Sequence, residues 1–105
     1  MGRFAVERNN EMGALAQQLI TVEMMYVYTV INPEAKDEDG NTYFSILQQE
    51  YTTLLEDYAA LQADIEAEKT FDNPDEMLVK ALEDFNTYFG EMYAYYVEKC
   101  AEMFA

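Results

Sequence analysis

The stretch "FSILQQEYTTLLEDYAALQADI", residues 44–65, decides how this chain folds. Phe44, Leu47, Tyr51, Leu54, Tyr58, Leu61 and Ile65 recur in alternating steps of three and four, which brings them onto one side of a helix. Gln48, Gln49, Glu50, Thr52, Thr53, Glu56, Asp57, Gln62, Asp64 and Glu66 fill most of the other positions. The spacing predicts an amphipathic helix over about residues 44–68 with a single buried stripe.

The same reading extends in both directions. Downstream, "DNPDE" (72–76) offers Asn73 as N-cap, Pro74 at the first helical position, and Asp75 and Glu76 at the positive helix end. A helix over about 74–103 follows, with Leu78, Leu82, Phe85, Phe89, Met92, Tyr96 and Met103 as its stripe and Lys99 at a stripe position. Gly90 interrupts it, at a propensity cost of up to ~1 kcal/mol relative to Ala. Upstream, Met12, Leu15, Leu19, Val22 and Tyr26 form one stripe and Ala16, Ile20, Met24, Val27 and Ile31 a second. This predicts a helix over about 5–31 that is buried on more than one side. The rival for its end is a short hairpin, residues 24–31 pairing with 41–45 through Asp39 and Gly40; periodicity running back through "EMGALAQQLI" favours the helix. The fold class is therefore all-α: a single-domain, three-helix, largely antiparallel bundle.

The last helix is dense in rings. On a wheel of about 100° per residue, Phe85, Tyr88, Phe89, Met92 and Tyr96 cluster as a core stripe, with Tyr93 and Tyr95 at its two margins. Tyr93, Tyr95, Met24 and Val27 are the residues expected to form an oligomer interface, most simply of a homodimer. Stacking sites for nucleic-acid bases lie in positive grooves, so a base-stacking role for these rings is disfavoured.

Charge is the extreme property. The 105 residues carry 21 acids and 6 bases, a net of −15. Solubility is served by a magnitude of about 2–8, and the excess adds self-repulsion. Such a field repels phosphates and anionic lipid and attracts basic protein surfaces, so direct nucleic-acid binding is disfavoured and a basic partner is favoured. Acids recur at seven-residue spacing as Glu50, Asp57 and Asp64 and as Asp84, Glu91 and Glu98. Seven residues rise ~10.5 Å, so each set predicts a row of carboxylates along a helix edge. Asp37, Glu38 and Asp39 add an acidic turn.

Other chemistries are poorly supplied. With no histidine, one cysteine and one serine, no Ser-His or Cys-His nucleophile pair can be assembled within one chain, and zinc or di-iron ligand sets are missing. No enzyme and no cofactor is expected. "KDEDGN" (36–41) resembles part of a calcium loop, but Ala35 and Ile46 stand where that loop needs its first and last ligands, and Thr42 at its eighth position is a third mismatch. Cys100 reads as a small buried hydrophobe. A single cysteine and no leader-like opening point to the cytoplasm. The apolar run Leu19–Ile31 contains Glu23 and is shorter than the ~20 residues of a membrane span.

In overall character the chain resembles the small acidic phage-encoded inhibitors that mimic nucleic acid, the anti-CRISPR type among them. The resemblance rests on the two acid rows and the acidic turn. It implies a non-enzymatic inhibitor that occupies the basic nucleic-acid groove of a nuclease such as an RNA-guided CRISPR effector, in the host bacterial cytoplasm. The alternative is a helical homo-oligomeric assembly adaptor.

Overall fold

The structure, a computed structural model, describes the backbone of residues 3–105 and the side chains from Val6 onward. Its three helices are α1 (Arg3–Ile31), α2 (Tyr43–Lys69) and α3 (Glu76–Phe104). Residues 24–31 are helical, and the only strand-like pairing among the described residues is an isolated bridge between Lys36 and Thr42. The chain runs up, down and up. Arg8 meets Asp64 and Tyr28 meets Tyr43, so α1 and α2 are antiparallel, as are α2 and α3 through Tyr51–Phe104 and Tyr58–Tyr93; Tyr26 against Tyr96 makes α1 and α3 parallel neighbours.

Local chemistry sets the helix ends. Thr42 caps α2 by accepting a hydrogen bond from the Ser45 amide at 3.1 Å. The connection before it is closed by Asp37, whose Oδ1 accepts from the amides of Asp39 and Asn41, both at 2.9 Å, while Gly40 supplies the φ of 85°. At α3 the expected cap is displaced by two residues. Asp75, not Asn73, is the N-cap, because its carboxylate reaches the Leu78 amide at 3.1 Å, and Pro74 lies outside the helix.

Ten apolar side chains make the core: Leu15, Leu19 and Val22 from α1, Leu47, Leu54, Leu61 and Ile65 from α2, and Leu82, Phe89 and Cys100 from α3. The α2 stripe matches its sequence pattern, with Tyr51 and Tyr58 packed against the buried four. On α3 the buried face is rotated. Leu82, Phe85, Phe89, Tyr93, Tyr96 and Cys100 point inward, whereas Tyr88 and Met92, expected inside, are 76% and 50% exposed. The core direction thus lies about 50° from Phe85 toward Tyr93. Its cause is α2: Tyr58 stacks on Tyr93 with centroids 3.8 Å apart, and both Tyr58 and Gln62 donate to Asn86 Oδ1, at 3.1 and 2.7 Å. α1 differs too. Its first stripe is buried, but Ile20, Met24, Val27 and Ile31 of the second remain 43–74% exposed. The molecule is correspondingly long and thin, 52 × 25 × 16 Å, with a radius of gyration of 16.1 Å against ~13 Å for a compact domain of this length.

Candidate functional site: two rows of acids

The α2 row does not stand on an open face. α3 contacts α2 through Tyr51, Tyr58 and Gln62, and on the helical wheel Glu50, Asp57 and Asp64 lie on the flank turned away from these, toward α1. There Asp64 meets Arg8, whose guanidinium also pairs with Glu11 and reaches Glu68 at 3.5 Å and Glu7 at 3.6 Å. Arg8 is 13% exposed at its side chain and Glu68 6%. One cation therefore sits among four carboxylates in a partly dry seam. The consequence falls on Glu11, whose carboxyl is pushed up from 4.5 to about 7. Burial is the main cause and the neighbouring Asp64 carboxyl the second, with Arg8 acting in opposition. Asp57 is exposed, Glu50 half-buried.

The α3 row is placed differently. Asp84, Glu91 and Glu98 are exposed and lie on the wheel about 150–170° from the core direction, so they project almost straight outward. Asp84 is held by Lys80 at 3.0 Å, and nearby Glu83 lies 3.6 Å from Lys69. Among the described residues no cation pairs with Glu91 or Glu98, and Lys99 turns to Glu102 at 4.0 Å. Because the α2 row faces the α1 side and the α3 row points away from α2, the two rows do not share one surface.

In the turn, Glu38 and Asp39 are exposed, while Asp37 is half-buried and occupied by backbone amides. No grouping of acids or Cys100 suited to a metal ion occurs among the described residues. The Cys100 thiol is fully buried and pushed up to about 11 by that burial, which keeps it protonated and unreactive at neutral pH.

Of the residues expected at an oligomer interface, Met24, Val27 and Tyr95 are 45, 43 and 54% exposed. Tyr93 belongs elsewhere: it is half-buried against Tyr58, and desolvation raises its hydroxyl pKa. Tyr96 lies beneath Tyr95, its hydroxyl raised by burial and by the Glu23 carboxylate beside it. Arg8 was missed as a key residue, although a signal existed. It is the sole base between residues 4 and 35 and continues the Met12, Leu15, Leu19 stripe, where a charge needs a partner.

Within the helical segment Val6–Ile31, one 18-residue window reaches a mean hydropathy of 1.2, enough by length and composition for a membrane span. Arg8 and Glu11 lie inside that segment and are tied to α2. No protein-family model matches the chain, and no curated protein or solved structure matches it either.

Proposed function

We propose that the protein is a non-enzymatic inhibitor whose acidic surface occupies the basic nucleic-acid groove of a nuclease, with an RNA-guided CRISPR effector as the leading target, and that it acts in the cytoplasm as a helical bundle. The observation that carries this reading is the α3 row. Glu91 and Glu98 stand exposed on the side opposite the core, without an ion-pair partner among the described residues, in a chain of net charge −15. Unneutralised carboxylates ~10.5 Å apart on a rigid helix cost no rearrangement when they meet Lys and Arg side chains set to receive alternate phosphates. Because Asp64 is committed to Arg8, the contact centres on α3, with Glu38 and Asp39 as a second, separate acidic point.

The test is a DNA-cleavage assay with purified RNA-guided nucleases. Inhibition is expected at low salt and should weaken steeply as ionic strength rises. Reversing Glu91 and Glu98 to Lys should weaken it at least tenfold. Inhibition that survives both reversals, or no inhibition of any effector tried, would sink the reading. A second reading, a homo-oligomeric assembly adaptor, is favoured by the exposed apolar side chains of α1 and α3.

A further inference from the structure

We infer that the α1–α3 face, on the side of the bundle away from α2, is a self-association surface that takes a second copy of this chain. The inference is independent of the inhibitor reading.

Six side chains define the face: Ile20, Met24 and Val27 on α1, and Tyr88, Met92 and Tyr95 on α3, each between 43 and 76% exposed. The Tyr26–Tyr96 contact, with centroids 6.1 Å apart, sets the register of the two parallel helices and brings residues 20–27 of α1 level with about residues 90–97 of α3. α2 sits on the opposite flank of both, seen in Glu11–Asp64 on one and Asn86 and Tyr93 on the other. The two ridges therefore look the same way, an aliphatic one beside an aromatic one.

At about 200 Å² for a fully exposed large side chain, these exposures come to roughly 600 Å² of apolar surface per chain. That is at the top of what a typical monomer leaves open. Doubled in a symmetric pair it reaches about 1,200 Å², where specific interfaces begin, and Ile31, 74% exposed, extends the strip further.

Charge selects the occupant. Between Gly13 and Ile31 the one charged residue is Glu23, half-buried beside Tyr96. On the α1 half a basic partner finds no exposed carboxylate, the free acids Glu91 and Glu98 lying only along the α3 edge, and Lys99, 5.6 Å above the Tyr95 ring, adds a positive charge at that margin. A second copy fits. A two-fold axis along the helix direction lays α1 of each chain on α3 of the other, aliphatic ridge on aromatic ridge, and buries both in a second core. Glu91 and Glu98 remain outside at the rim.

That arrangement fixes the salt dependence. Two chains of −15 repel, so screening should strengthen the dimer, opposite in sign to binding in a basic groove. Sedimentation velocity of the full chain over a concentration series, at about 0.05 and about 0.5 M salt, is expected to show a monomer–dimer equilibrium at least several-fold tighter at the higher salt. Met24→Glu with Tyr88→Glu should weaken it at least tenfold, as should Ile20→Lys, which lowers the net repulsion and so separates packing from charge. Thr52→Glu, on the exposed outer side of α2, should leave the dimer in place. Circular dichroism checks that each variant is folded. A folded monomer at every concentration and both salts, or a dimer indifferent to both α1–α3 variants, overturns the inference. So does a chain that stays monomeric yet pellets with neutral phosphatidylcholine vesicles, which would give this face to lipid.

Discussion

Two rows of acids with identical spacing, Glu50–Asp57–Asp64 on α2 and Asp84–Glu91–Glu98 on α3, have different fates in this bundle. The first runs along the α1–α2 seam and ends in a partly dry cluster around Arg8; the second stands in water opposite the core. What separates them is the neighbouring helix. α1 brings one guanidinium to Asp64, Glu68 and its own Glu11, and nothing comparable approaches Glu91 or Glu98 among the described residues. Carboxylates at heptad spacing are thus structural or free according to whether a cation is packed against them, and only the free ones remain for a partner.

The strongest way to break this contrast is to remove the cation. Arg8→Ala leaves Glu11, Asp64 and the buried Glu68 without a counter-charge, and is expected to destabilise the fold by about 2–4 kcal/mol, somewhat below a fully buried pair because Asp64 is partly wet. For a domain this size that is a fall in Tm on the order of 10 °C or more by thermal melting. Arg8→Lys should recover only part of it, since an ammonium cannot serve several carboxylates through a planar fork. A Tm unchanged by Arg8→Ala would mean that the α2 row is as dispensable as the α3 row.

How much of this was legible in the sequence depends on how many neighbours each helix has. α2 touches both others along one stripe, so its apolar spacing located the buried Leu47, Leu54, Leu61 and Ile65 directly. α1 shows two apolar stripes, but a three-helix bundle covers only one of them, and Ile20, Met24 and Val27 stay exposed. On α3, apolar residues occur on both sides of the true core line, with Tyr88 and Met92 on one and Tyr93 on the other, so apolarity alone could not orient the helix. Asn86 and Cys100 carried the missing information: a small thiol suits a tight interior, and a mid-helix amide bonded to Tyr58 and Gln62 marks the side that meets α2. The acid rows were visible as spacing. Their separation onto different surfaces was not, because it depends on that rotation.

A pH series sharpens the comparison with a smaller effect. The Glu11 carboxyl stands at about 7 in the folded chain against an ordinary value of 4.5. As pH rises through the interval between those values, the unfolded chain gives up this proton while the folded chain retains it, so stability is fullest below the interval and is lost across it. Discounted for partial solvation, the loss is on the order of 1 kcal/mol. Self-repulsion at −15 slopes the same way, so the informative quantity is the difference from Glu11→Gln, measured by urea unfolding near pH 5 and pH 8. The variant should have the shallower slope; parallel slopes would show that Glu11 does not hold its proton.

The smallest effect is expected on the other row. Glu91→Gln with Glu98→Gln removes two charges from a surface that already repels itself and takes no ion pair away among the described residues. Stability should stay within about 0.5 kcal/mol of the parent, or rise slightly. A clear fall in Tm would show that α3 also leans on its acids for folding, and the division between a structural row and a free one would then fail. An unchanged Tm matters for a further reason. It makes the pair a clean probe, because any loss of binding to a basic surface in Glu91→Gln, Glu98→Gln protein could then be assigned to the missing carboxylates and not to a weakened bundle, which no substitution at Asp64 or Arg8 can offer.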